Sequence, residues 1–227
     1  MKVLAIETAS DACSCALRVG EAVVERHIVA PRRHAELVLS MVEELLGESG
    51  LALTALDALA FGRGPGSFTG LRVAAGVIQG LAYGADLPVV PVSSLRTLAQ
   101  GALREDGHER VLAAFDARIG EVYWGAYEDD GGGMMTARTD DLVAAPAAVP
   151  LPGEGPWFGV GEGWRAYADA LSERMDGKCI GSDPDRFPRA LDVAMLAADA
   201  HARGESVSAE HAVPVYVRNT VARKRGE

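Results

Sequence analysis

The chain has 227 residues, 48% of them hydrophobic, and a formal net charge of -10. That length and apolar content support a substantial core in one unit or two small lobes, and exclude a disordered chain. The acidic balance argues against this chain gripping nucleic acid by itself, because affinity for a phosphate backbone comes largely from Lys and Arg.

From the N-terminus, residues 3–6 (VLAI) form a first apolar run and residues 13–19 a second, joined by the polar stretch Glu7-Thr8-Ala9-Ser10-Asp11. This is the pattern of an antiparallel hairpin. Gly20-Glu21 makes another turn before the apolar-rich residues 22–29, so a three-strand meander is expected, with an acid at the end of its first strand. MKVLAIETAS lacks the long apolar core of a signal peptide, and the longest uncharged stretch, residues 73–85, falls short of the roughly 20 residues of a membrane span. A cytoplasmic protein is expected. Cys13, Cys15 and Cys179, odd in number and without CxxC spacing, are read as reduced, buried thiols.

Residues 34–46 place Leu37, Val38, Met41, Val42 and Leu45 on one helical face, with Leu39 and Leu46 as a second apolar edge. The glycine-rich loop GRGPGSFTG follows at residues 62–70. It lacks the Lys of a Walker A loop, the third glycine of a dinucleotide loop and the first glycine of a nucleophile elbow, which favours a tight structural turn over a phosphate cradle. The helix after it carries no charge from residue 73 to 85, and only Gln79 and Tyr83 have polar side chains. Such a helix needs cover on more than one side. Gly76, Gly80 and Gly84 recur every four residues and clear a groove for close helix packing, bordered by Val73, Val77 and Tyr83. Its occupant is either the helix at 34–46 or a helix of another protein. With His34, Leu37, Val38, Met41 and Leu45, these residues make the candidate partner interface.

Ser93-Ser94 caps a helix to about residue 102. Residues 111–127 then repeat the opening plan of apolar strand, acid (Asp116), turn and strand, about 108 positions on, and a glycine turn follows at 131–133. An internally duplicated, two-lobed α/β fold is expected. Residues 139–156 read as an irregular connection, and 189–203 as a helix ending at Gly204. The lobes are expected at 1–105 plus 188–217 and at 106–187, with a basic tail at 218–227 (Arg218, Arg223, Lys224, Arg225) that is either a solvated terminus or an RNA contact.

The five histidines, His27, His34, His108, His201 and His211, include no pair three or four residues apart, so no metal site and no catalytic residue are assigned. Glu7 (with Thr8) and Asp116 (with Arg118), each beside a turn, are candidates for a nucleotide cleft, holding Mg2+ or water near phosphates. The alternative for each is turn chemistry or a buried hydrogen bond to the backbone, and Arg118 is placed to neutralise Asp116.

The segments VLAIETASDACSCAL, GRGPGSFTGLRVAAGVIQGLA, DARIGEVYWGAY and HAVPVYVRNTVARK, spread over nearly the whole chain, resemble the TsaB (YeaZ) family. The resemblance implies a two-lobed fold of the actin, sugar kinase and Hsp70 superfamily (ASKHA), mixed sheets flanked by helices. It also implies a bacterial protein of tRNA threonylcarbamoyladenosine synthesis. In that system TsaD, a paralogue, transfers the threonylcarbamoyl group to adenosine 37 of ANN-decoding tRNAs, with the ATPase TsaE assisting. The implied role is that of a noncatalytic partner of TsaD, homodimeric when alone, that meets tRNA through TsaD and binds no cofactor tightly; ATP or ADP belongs at the heterodimer junction. The family's first two helices form that contact, and TsaD-like HxxxH is replaced here by His34 and Val38. Glu7 stands where Asp is usual in the superfamily, and Val217 where Leu is common. The competing reading is a stand-alone ATPase or peptidase of the superfamily.

Overall fold

The computed structural model describes residues 1–217. The opening meander forms as expected: β1 (Lys2–Glu7), β2 (Ala12–Val19) and β3 (Ala22–Val29) are antiparallel neighbours. After α1 (His34–Ser49), β4 (Ala58–Gly64) returns parallel to β1. Then α2 (Phe68–Ala85) leads to β5 (Val89–Ser93), which completes a sheet ordered β3-β2-β1-β4-β5.

The second half repeats this order. After α3 (Ser94–Asp106) come β6 (Arg110–Arg118), β7 (Glu121–Asp129), β8 (Met135–Ala137), β9 (Leu142–Ala144) and β10 (Trp157–Val160). The short α4 (Gly163–Ala166) and α5 (Ala168–Met175) precede β11 (Cys179–Asp183), and α6 (Ala190–Ala202) follows. The sheet runs β11-β10-β6-β7-β8, with β9 also on β7. β6 pairs antiparallel with β7 and parallel with β10, as β1 does with β2 and β4. The expected duplication is thus present as a shared strand order.

Central strands are apolar on both faces because both are covered. Leu4 and Ile6 of β1 pack with Cys13, Cys15 and Phe61 beneath α1 and α2, while Val3 and Ala5 face Val193, Leu196 and Ala197 of α6. In the second sheet, Val111, Ala113 and Phe115 lie under Leu95 and Leu98 of α3, and Leu112 and Ala114 lie against Trp124 and Trp164. Each half therefore lends a helix to the other: α3 follows the first sheet but packs on the second, and α6 does the reverse. Residues 94–105, expected with the first lobe, pack their apolar face on the second sheet. Arg104 Nε, 2.7 Å from the buried carboxylate of Asp192, ties the exchanged helices together.

Three further differences have local causes. α2 begins at Phe68, ahead of the charge-free stretch, because Ser67 caps it through Gly70 N. Residues 139–156 are not wholly irregular, since 142–144 pair with β7 as β9. Cys179 is only half-buried on an outer strand; Cys13 and Cys15 are buried. Among the described residues, no helix is long and apolar enough to cross a membrane. The basic tail at 218–227 lies outside them.

Candidate functional site

Glu7 ends β1 with its carboxylate fully buried. Ala9 N donates to its Oε1 at 2.7 Å and Ser94 Oγ to its Oε2 at 2.9 Å, and a side chain at Gly62 would overlap it. Thr8 is buried too, with Oγ1 donating to Gly70 O at 2.8 Å. The cleft role expected of Glu7 and Thr8 is therefore corrected: both are enclosed and hydrogen-bonded within the fold.

Burial is the dominant influence on Glu7 and raises its pKa from 4.5 to about 7 against those hydrogen bonds. Between these values the unfolded chain releases a proton that the folded chain keeps. Stability from this group is thus full below about 4.5, falls as pH rises through about 7, and levels off above, a change of about 3 kcal/mol. Glu7→Gln is expected to remove this slope. Urea unfolding at pH 5 and pH 8 checks it, and parallel profiles for parent and variant would count against a raised Glu7.

Asp116 lies within β6, one pair short of the hairpin, where its strand irregularity occurs. Arg118 Nη1 stands 2.9 Å from its Oδ2, Arg118 N donates to Oδ1 at 2.8 Å, and the Tyr167 hydroxyl donates to Oδ1 at 3.1 Å. Asp116 and Arg118 do line a cleft of about 380 Å3, opposite Ser10, Asp11 and Thr69 and beside Glu162. Asp11 and Glu162 add negative charge to it, and burial raises the Glu162 carboxyl. A phosphate group there meets three carboxylates and one arginine, so the cleft disfavours anions. Glu162 and Tyr167 gave no signal in sequence; they arrive from a segment more than forty residues away.

The glycine loop is occupied by the fold itself. Ser67 N donates to Ala9 O at 2.7 Å and Leu71 N to Ser67 O at 2.9 Å, so these donors are turned inward to protein acceptors. That is the tight turn rather than the phosphate cradle. His34, the first residue of α1, places Nε2 2.9 Å from Ser10 O and 3.2 Å from Ala12 O, pinning the helix to the same turn.

The face of α2 is different. A Cβ at Gly76, Gly80 or Gly84 would meet nothing within 4 Å. Tyr83 is 87% exposed, Phe68 55% and Leu39 of α1 50%. Val73, Val77 and Leu37 are half-buried against the first core. The intramolecular alternative, α1 seated on the glycines, is therefore overturned. A second correction concerns α1: His34, Val38, Met41 and Leu45, included in the candidate interface, are buried in the protein's own first lobe. Composition identified the helix as apolar but not which apolar residues its own sheet would cover; Leu39 and Phe68 were missing from the candidate interface.

Among the described residues, no group of three or more His, Cys, Asp or Glu is placed to hold a metal ion. The family model for tRNA N6-adenosine threonylcarbamoyltransferase, TsaD, matches residues 26–159. Similar proteins named tRNA threonylcarbamoyladenosine biosynthesis protein TsaB include that of Escherichia coli K12, 45% identical over 99% of this chain and 98% of that protein. The Haemophilus influenzae protein of that name is 38% identical over 99% and 97%. The solved structure described as YeaZ from Pseudomonas aeruginosa shares 48% identity and a TM-score of 0.89 over 95% of this chain and 99% of that one.

Proposed function

The chain belongs to the TsaB family of tRNA threonylcarbamoyladenosine biosynthesis proteins, and from that premise we propose that it is the noncatalytic partner of a TsaD transferase. The observation that carries this reading is the uncovered glycine face of α2. Backbone stripped of side chains at Gly76, Gly80 and Gly84 lets a partner helix come closer than the usual 8–10 Å axis separation, with Val73, Val77 and Tyr83 as its apolar rim. Leu37 and Leu39 of α1 extend the same contact. A second copy of this chain occupies the face when TsaD is absent, and TsaE joins the heterodimer.

The noncatalytic reading is supported by where the candidate residues lie. His34 is committed to the β1–β2 turn, Glu7 is enclosed, and Asp116 is tied by Arg118 and Tyr167. An adenine nucleotide, on this reading, is held at the junction of the two proteins and not in this chain's acidic cleft. tRNA is bound through TsaD.

The test is a drop-out reconstitution with unmodified tRNA, threonine, bicarbonate, ATP, TsaC (the enzyme of that system that makes threonylcarbamoyl-adenylate), TsaD and TsaE, with and without this chain, scored by mass spectrometry of the digested nucleosides. Modification is expected only when this chain and TsaD are both present. Transfer without TsaD, or ATP or peptide hydrolysis by this chain alone that Asp116→Ala abolishes, would identify an enzyme instead.

A further inference from the structure

A second cavity, of about 660 Å3, opens between the edge strand β5 and the second lobe. Its walls set Arg63 from β4, Arg96 from α3 and Arg203 against Asp140, Asp141 and Glu205, with Ser93 from the end of β5 and Tyr127 from β7. The charges are not evenly satisfied. Arg203 pairs with Asp199 and Glu205. Asp141 accepts from Ser93 Oγ at 2.6 Å and from the Tyr127 hydroxyl, so hydroxyl donors engage both its oxygens. Arg63 Nε is buried with no hydrogen-bond partner, while the Arg63 charge acts on the nearby Asp141 carboxylate. Arg96 gives its Nε to the Met135 carbonyl at 2.5 Å, and burial with Arg203 nearby holds its guanidinium below the ordinary value.

A buried guanidinium nitrogen without an acceptor, as Arg63 Nε is, is costly, and an oxyanion that presents two oxygens to the fork satisfies it with charge-assisted bonds. The Arg96 guanidinium, whose Nε is already bonded to Met135 O, adds a second positive charge to the same cavity, and two positive charges match a dianion better than a monoanion, which separates a phosphate group from a monocarboxylate. We propose that this cavity binds the phosphate group of a small molecule, held by Arg63 and Arg96, with the apolar remainder of the cavity taking the attached group. Val90, Val92 and Leu196 supply that apolar wall. The inference does not depend on the TsaD interface.

The experiment is isothermal titration of the full chain at pH 7.5 and constant ionic strength with inorganic phosphate, glycerol 2-phosphate and acetate. Saturable binding of the first two is expected, tighter for the ester if the apolar wall takes part, with acetate weaker. Arg63→Gln and Arg96→Gln are each expected to weaken it about tenfold or more, and Arg118→Gln, in the other cleft, to leave it unchanged. If the Gln variants fail to fold, Arg63→Lys and Arg96→Lys keep a charge without the fork and are expected to lose part of the affinity. Absence of saturable phosphate binding, acetate binding as tight as phosphate, or affinity unchanged in the substituted proteins would overturn the assignment.

Discussion

Gly80→Leu is expected to leave this protein folded and to remove its ability to support threonylcarbamoyladenosine formation. In the isolated chain the new side chain enters open space, since nothing lies within 4 Å of a Cβ there. Leu also favours the helical state over Gly by roughly 0.5–1 kcal/mol. In the proposed complex with TsaD, the same side chain would fill the groove offered to a partner helix and force the two backbones apart. Interface packing is intolerant of such wedges, and a loss of about a hundredfold in affinity, about 3 kcal/mol, is expected. Thermal unfolding of the variant establishes that it is folded, titration against TsaD reads the affinity, and the reconstituted reaction reads the consequence. A folded variant that binds TsaD as the parent does would place the interface elsewhere.

Gly70→Ala, ten residues earlier in the same helix, is expected to do the opposite: to damage the fold before any partner is involved. Gly70 is buried where α2 meets the β1–β2 turn, and a Cβ there would lie 1.9 Å from Thr8 O, a backbone atom that cannot rotate away. The Thr8 Oγ1 bond to Gly70 O holds the two segments at that separation. Overpacking of this kind costs about 3 kcal/mol or more, since the turn that also carries Glu7 and anchors His34 has to move. Gly76→Ala is the matched control, because it meets nothing and is expected to raise stability by roughly 0.5–1 kcal/mol. Urea unfolding of both variants decides the matter. Equal effects at the two positions would show that helix propensity, not contact with the turn, governs these glycines.

Glu7 and Asp116 show how far a local pattern reaches. Both were visible as acids beside turns in two copies of one strand plan, and the copies are real in the strand order. Their environments are not alike. Glu7 is enclosed by Ser94, 87 residues away, and by the backbone at Gly62. Asp116 meets Arg118 two residues on but also Tyr167, 51 residues away. Neither long-range partner shares a periodicity or motif with its acid. The same limit applies to Arg63 and Arg96, unremarkable in sequence and brought to one cavity only by the fold.

By itself, the sequence determined the strand meander, both helices after it, the duplication and the apolar, glycine-spaced character of α2. Each of these rests on contiguous apolar runs, spacing or small residues, which act over a few turns of chain. The tertiary structure decided which surfaces remain free. It seated α3 on the second sheet, turned Val38, Met41 and Leu45 of α1 into the first core, and left Gly76, Gly80 and Gly84 uncovered. Hydrophobic attraction is non-directional, so an apolar residue carries no record of whether its own sheet or another protein will cover it. That choice is made when the two lobes pack and the available sheet faces are filled.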